Sequence, residues 1–404
     1  MVNRKFLRIL CPLALLPSYA MAAGDALFNP IQMAVPIMNV TPDARAAGMA
    51  DMGVATSADV FSQHWNAAKY PFASAQMGIG LSVTPWLSNL VQDVRINYGS
   101  MYYKFDNLQT ASIGLRYFTL GDMDIMDPYG NYITKVNPAE FSFDAAYSRK
   151  FGNNIAAALT LRYVRSDLTG GYTNPEASDF NNLTPANGFG TDIAIYYQRE
   201  HRDNEWAMGF TISNIGTKIS YAEGSQKYFM PATMHLGGRY TVNIDEDNSF
   251  MLGIELSKLL VPSPPALYDS TETGGNTFIM DGKTMRGMNP NVGAISGMIQ
   301  SFYDAPYGAN EELSEVMFGG GLEYSYRKMF NLRGGYFHDS KRKGNRRYLT
   351  FGAGIKYSVI GLDLSYLYAF TNQDPLSNTL RVTLSLDLNI VQRLRRGPTT
   401  TSAE

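Results

Sequence analysis

The chain has one cysteine, Cys11, and four histidines in 404 residues, and only 17% of those residues are charged. Each shortage excludes something. A single cysteine cannot close an internal disulfide or supply a cysteine metal cluster. The histidines, His64, His201, His235 and His338, include no pair at the spacing of a helical zinc site, so no metal is expected. Neither a G-x-S-x-G elbow nor a phosphate-binding G-x-x-x-x-G-K-[ST] loop occurs, and neither a catalytic residue nor a cofactor is expected. Runs of eighteen apolar residues are absent, which excludes bilayer-spanning helices. Yet charge is scarcer than the roughly 25% of soluble proteins, while aromatics reach 12%. Part of the surface should therefore face something other than water.

What is present begins with an export signal. Arg4, Lys5 and Arg8 precede an apolar run, Ile9 to Leu16, that closes on Ala20-Met21-Ala22, which reads as a secretory signal peptide, residues 1–22. Cys11 follows Leu10 rather than a small residue, so no lipid anchor is expected. Without the leader's three cations the chain keeps 31 basic and 36 acidic residues, a net charge of −5. Nucleic acid is not an expected partner.

From residue 76 onward apolar and polar side chains alternate in segments as long as a tilted membrane strand, roughly 9 to 11 residues. Leu380, Val382, Leu384, Leu386 and Leu388 fall on one face, Arg381, Thr383, Ser385, Asp387 and Asn389 on the other. Strands are predicted near 76–84, 93–104, 109–120, 139–150, 154–166, 190–200, 205–214, 230–242, 248–258, 315–327, 329–338, 347–357, 360–370 and 379–389. Connections after even-numbered strands are short and those after odd-numbered strands mostly long. Outer-membrane barrels show this asymmetry, with short periplasmic turns and longer outer loops, and an even strand count returns both termini to the periplasm. A soluble sandwich or propeller also has many short strands, but does not require that alternation. The predicted fold is all-β: a transmembrane outer-membrane barrel of fourteen antiparallel strands, residues 76–389, with a periplasmic tail, 390–404. Inward-facing charges of both signs (Arg116, Glu140, Asp144, Arg162, Glu255, Glu323, Lys356, Asp363, Arg381 and Asp387) suggest wall salt bridges and contacts to a plug; an ion-selective pore is the alternative.

Residues 23–75 lack the alternation and read as short helices and turns, either a plug (hatch) folded into the lumen or a periplasmic arm. Thr41 to Phe72, TPDARAAGMADMGVATSADVFSQHWNAAKYPF, resembles the amino-terminal signature of the PorV (LptO) family of type IX secretion, part of the FadL-like group of fourteen-stranded barrels. Arg45, Gly48, Asp51, Asp59, Trp65 and Asn66 carry the motif; Asn66-Ala67-Ala68 departs from the group's usual Asn-Pro-Ala. The resemblance implies an adaptor that collects cargo by its carboxy-terminal signal domain at the translocon, Sov or SprA, and delivers it to the attachment complex of the PorU sortase. A FadL-like channel for hydrophobic small molecules is the second reading. A link to lipid A deacylation, implied by the alternative family name, finds no supporting constellation of residues.

Recognition is expected in the longest connection, roughly Leu259 to Ser314, which exceeds the 12 to 15 residues beyond which loops are usually functional or disordered. Met280, Met285, Met288, Met298, Phe302 and Tyr303 look exposed there, and methionines suit a surface that must fit varied cargo. Asn289-Pro290 reads as the start of a helix carrying Val292, Ile295, Met298, Ile299 and Phe302. That helix could serve partners or cap the barrel mouth. A second candidate is the first loop, with Trp86, Leu87 and Leu90 meeting a partner or outer-membrane lipid.

Overall fold

The computed structural model describes residues 28–86, 93–126, 129–172, 184–222, 224, 226–268, 276–370 and 377–389. The expected leader and tail, with Leu87 and Leu90, lie outside the described residues. Fourteen antiparallel strands close a barrel: β1 Met77–Pro85, β2 Arg95–Lys104, β3 Gln109–Thr119, β4 Ala139–Phe151, β5 Ile155–Asp167, β6 Ala186–His201, β7 Asn204–Gly216, β8 Thr233–Asn243, β9 Asn248–Leu259, β10 Val316–Tyr326, β11 Phe330–His338, β12 Arg347–Tyr357, β13 Ile360–Ala369 and β14 Leu380–Leu388. β14 pairs with β1 from Met77↔Leu388 to Val83↔Val382. Closure leaves no strand edge unpaired, which hydrocarbon demands.

Alternation decides which face meets what. On β14 Leu380, Val382 and Leu384 point outward, while Arg381 and Thr383 are buried inside. On β5 Leu159 and Leu161 are outward and Thr160 and Arg162 inward. A one-residue slip would exchange the two faces, so the apolar pattern also fixes register. Among the described residues no helix is long and apolar enough to cross a membrane.

Two ends of the barrel differ. Connections 105–108, 152–154, 202–203, 244–247, 327–329 and 358–359 are short. Arg327 and Lys328 both adopt left-handed φ, 55° and 54°, as a tight primed turn needs. The opposite end carries 86–94, 120–138, 168–185, 217–232, 260–315, 339–346 and 370–379. Two of these hold structure that alternation did not announce: a hairpin, Met123–Met126 with Tyr132–Val136, and a small sheet of Ala266–Leu267, Lys283–Arg286 and Thr277–Met280.

Residues 34–75 lie within the ring, built from helices α1 Ala44–Ala47 and α2 Ser62–Trp65 and two 3-10 turns, Pro36–Asn39 and Ala67–Phe72. They touch inward faces all around: Ser82 on β1, Ser100 on β2, Thr211 on β7 and Thr350 on β12 each exchange a hydrogen bond with this segment. Small residues allow the close approach. A Cβ on Gly48 would stand 3.0 Å from Gly352 Cα, and one on Gly335 2.5 Å from Ala50 N. Tyr70, fully buried, stacks on Tyr102 at 4.7 Å between ring centroids.

The path of this segment corrects one expectation. The even strand count does bring Met77 and Leu388 together, and Gln76 N donates to Asn389 Oδ1 at the short-turn end. Asn29, however, donates to Pro264 O and Arg342 O in the long connections. The first and last described residues therefore lie at opposite ends, because the chain before β1 runs through the barrel.

Candidate functional site

Inside the barrel, polar groups tie the inner segment to the wall. Asp43 caps α1, accepting from Ala46 N at 2.9 Å, and also accepts from Trp65 Nε1 at 2.7 Å. Burial, helped by Asp59, pushes its carboxyl up to about 6. Burial also acts to raise Asp59, but Lys69 and Arg45 outweigh it and hold that carboxyl below its ordinary value. Arg45 binds Asp59 at 2.8 Å and Glu323 at 3.1 Å; Glu323 meets Arg333 at 2.6 Å, and Arg333 meets Asp363 at 2.6 Å. Signs alternate along this row, so each buried charge has a partner.

Other motif residues act through shape or the backbone. Gly48 lies on Gly352, Asp51 accepts from the Tyr348 hydroxyl, and Asn66 donates to Val54 O and Ile195 O. Asn66 Oδ1 also accepts from Ala68 N at 3.0 Å, which fastens the Asn-Ala-Ala turn without a proline. Glu255 accepts from Gly53 N and Val54 N at 2.8 and 2.9 Å. On β6 a bulge between Thr191 and Ile193 accompanies Asn214 in left-handed φ, and Arg162 gathers Asp144, Asp192 and Asn214 there. Bulges commonly re-aim a side chain in this way. Arg116 and Glu140 meet neutral partners instead: Arg116 donates to Ile37 O and to the His64 ring, and Glu140 accepts from Ser166. Burial and Arg116 keep His64 well below its ordinary pKa, so the ring can accept.

The described parts of the long connection, 260–268 and 276–315, present two faces. Its underside is ionic. Lys343 sits 2.6 Å from Glu311 and 2.9 Å from Glu315, and Lys258 pairs with Glu315 and Glu312, all with side chains at most 15% exposed. Ser263 donates to Glu315 and accepts from Lys343. Three glutamates against two lysines leave excess negative charge. Asp304, buried beside them, is accordingly pushed up to about 7, first by burial and then by Glu315 and Glu312.

Its upper face is apolar. Helix α3, Ala294–Gln300, rests through Gly297, where a Cβ would stand 2.5 Å from the Phe229 ring. Ile295 and Ile299 are each 59% exposed, Phe302 50% and Tyr303 55%. The expected start at Asn289-Pro290 is corrected: Asn289 Oδ1 accepts from Asn291 N in a local turn, and the helix begins at Ala294 after Gly293. Met280, Met285, Met288 and Met298 are half-buried, not exposed as the sequence reading had it. Met280 and Met285 belong to the small sheet, whose cross-strand packing covers them. Trp86 is half-buried, packed on an inward cluster with Met38, Ile96 and Phe118. Exposed Ile279 and Leu313 and the whole ionic underside escaped the sequence reading. The one hint was three acids within five residues, Glu311, Glu312 and Glu315, in a chain poor in charge.

Between the inner segment and the barrel wall lies a chamber of about 320 Å³, lined by Ile31, Met33, Met38, Met317, Phe337 and Tyr348 with His235 and Arg162. Among the described residues no group of three or more His, Cys, Asp or Glu could hold a metal ion.

The family profile described as type IX secretion system protein PorV matches residues 24–266, more than half of the chain. The chain belongs to the PorV family. As a PorV-family barrel it has an outer-membrane role in type IX secretion. No match was found among curated proteins. Among solved structures, the TodX ΔS2S3 mutant monoaromatic hydrocarbon channel is similar at 11% identity, covering 85% of this chain and 98% of that one, with a TM-score of 0.50. A FadL homologue from Pseudomonas aeruginosa is 10% identical, covers 89% and 100%, and has a TM-score of 0.44. At such identities the first shows a shared barrel fold for this PorV-family chain and nothing about its ligand.

Proposed function

We propose that this PorV-family barrel is an adaptor: it binds the carboxy-terminal signal domain of secreted cargo at the Sov or SprA translocon and passes it to the PorU attachment complex. In this reading the long loops face outward from the cell, the termini of the barrel strands face the periplasm, and the protein works by binding rather than by covalent chemistry. The observation that carries it is the exposed face of α3. Ile295, Ile299 and Phe302 are held outward on an anchored loop, and covering one such side chain contributes about 1.5–3 kcal/mol. The interior argues the same way, because the inner segment and its ion pairs occupy the space a passage would need. The chamber supports a second reading, a hydrophobic small-molecule channel, since Ile31, Met33, Met38, Leu259, Met317 and Phe337 are among the residues that line it.

Affinity capture from detergent-solubilised outer membranes tests the adaptor. Signal-domain cargo, translocon and sortase should co-purify with the chain. If none does, the adaptor reading fails and uptake of hydrophobic compounds becomes the assay of choice.

A further inference from the structure

The inner segment joins the two ends of the barrel, and its first residues are fastened to the loops at the far end. Asn29 N donates to Arg342 O at 2.7 Å, and Asn29 Nδ2 donates to Pro264 O and Glu311 Oε1, both at 3.1 Å. One residue thus bridges the two connections that hold the ionic underside, its backbone N–H bonding to 339–346 and its side chain to 260–315. Further along, Ala34 N donates to Phe229 O at 2.8 Å, and Asn39 Nδ2 to Thr233 Oγ1 at 2.9 Å. Between these anchors the backbone is constrained. Pro30 and Pro36 fix φ, and Val35, 1% exposed, adopts φ 48°. A β-branched residue is strained there and persists only where its surroundings over-determine it.

We propose that residues 29–39 form a strap across the barrel mouth that pins the long loop in place, and that Phe28 therefore lies beside that loop rather than at the short-turn end. The strap requires nothing about what the loop binds. It predicts that a probe at Phe28, 63% exposed, behaves like one on α3 and unlike one in the turn 105–108. It also predicts that weakening Asn29 frees the loop without unfolding the barrel, because Glu311 keeps its Lys343 partner.

Single cysteines at Phe28, Ser296 and Asn107 would be labelled with a membrane-impermeant maleimide in intact cells and again after outer-membrane permeabilisation. The parent chain, with Cys11 alone, sets the background, and Gln32→Cys stands in if Phe28→Cys is not assembled. Position 28 should label under the same condition as Ser296→Cys. Labelling with Asn107→Cys, or under neither condition, overturns the threading. If Ser296→Cys is reached only after permeabilisation, the outward orientation of the loops fails, yet the strap stands provided position 28 follows it. The pinning is read from Ala305→Cys, whose side-chain position is 3% exposed beneath the loop. Adding Asn29→Ala should raise its labelling rate about tenfold, the effect of losing two hydrogen bonds. An unchanged rate overturns the pinning.

Discussion

The inner segment and the long loop 260–315 solve the same problem in opposite ways. Both lie outside the strand alternation and both are fixed by buried ion pairs, Arg45–Glu323 in one and Lys343–Glu311 in the other. The inner segment turns its apolar residues toward the wall, with Met49, Tyr70 and Val54 almost wholly covered. The loop does the reverse, and keeps Ile295, Ile299 and Phe302 in the open while Glu311 and Glu315 go underneath. Large apolar side chains left about half exposed and grouped on one anchored element commonly mark an interaction surface. The difference is one of surface: the inner segment buries its apolar side chains against the wall, and the loop leaves an apolar helix face exposed, which is the face the proposed adaptor role would use.

That comparison can be strained from either side. The larger effect should come from the interior. Glu323→Ala removes the carboxylate shared by Arg45 and Arg333, which keep Asp59 and Asp363; losing hydrogen bonds to a charged group should cost about 1.5–3 kcal/mol. Urea unfolding of the reconstituted barrel should show a correspondingly lower midpoint; an unchanged midpoint would mean the row from Asp59 to Asp363 holds nothing together. A smaller effect should come from pH at the loop. Burial and the nearby Glu315 and Glu312 raise Asp304 to about 7, so its stabilising contribution is complete below the ordinary carboxyl pKa and is lost as pH rises through about 7. Lys258 and Lys343 are engaged with those glutamates and do not neutralise it. Because the thiolate fraction of any cysteine rises with pH over this range, the readout is the rate at Ala305→Cys divided by that at the exposed Ser296→Cys; this ratio should rise between pH 6 and pH 8, and Asp304→Asn should flatten it. A slope that survives Asp304→Asn would assign the titration to another group.

The two regions were also unequally legible. The strands could be read because one alternation encodes both the apolar outer face and the inward polar one, as on Leu380 to Leu388. The family motif could be read because its small residues and Asp43, Trp65 and Asn66 lie close in sequence. Their wall partners could not: Arg45 and Glu323 are 278 positions apart, and only closure of the ring brings them together. On the loop, the spacing of Ile295, Ile299 and Phe302 announced an apolar face but not its direction. Gly297 decides that, because it alone lets the helix settle against Phe229. Met280 and Met285 misled because they belong to a pair of short strands, Thr277–Met280 and Lys283–Arg286, whose sequence shows no polar–apolar alternation. Asn289 misled because its carboxamide closes a local turn before any helix begins.

The most direct measurement compares affinities of a purified type IX signal domain for three detergent-solubilised proteins: the parent, a doubly substituted Ile299→Asp, Phe302→Ala loop variant, and Ser257→Phe, which fills the inner chamber. The loop variant should bind at least about tenfold more weakly, since two exposed apolar anchors contribute more than 1.4 kcal/mol together, while Ser257→Phe should bind like the parent. Binding lost in Ser257→Phe and kept in the loop variant would contradict the assignment and place recognition inside the barrel.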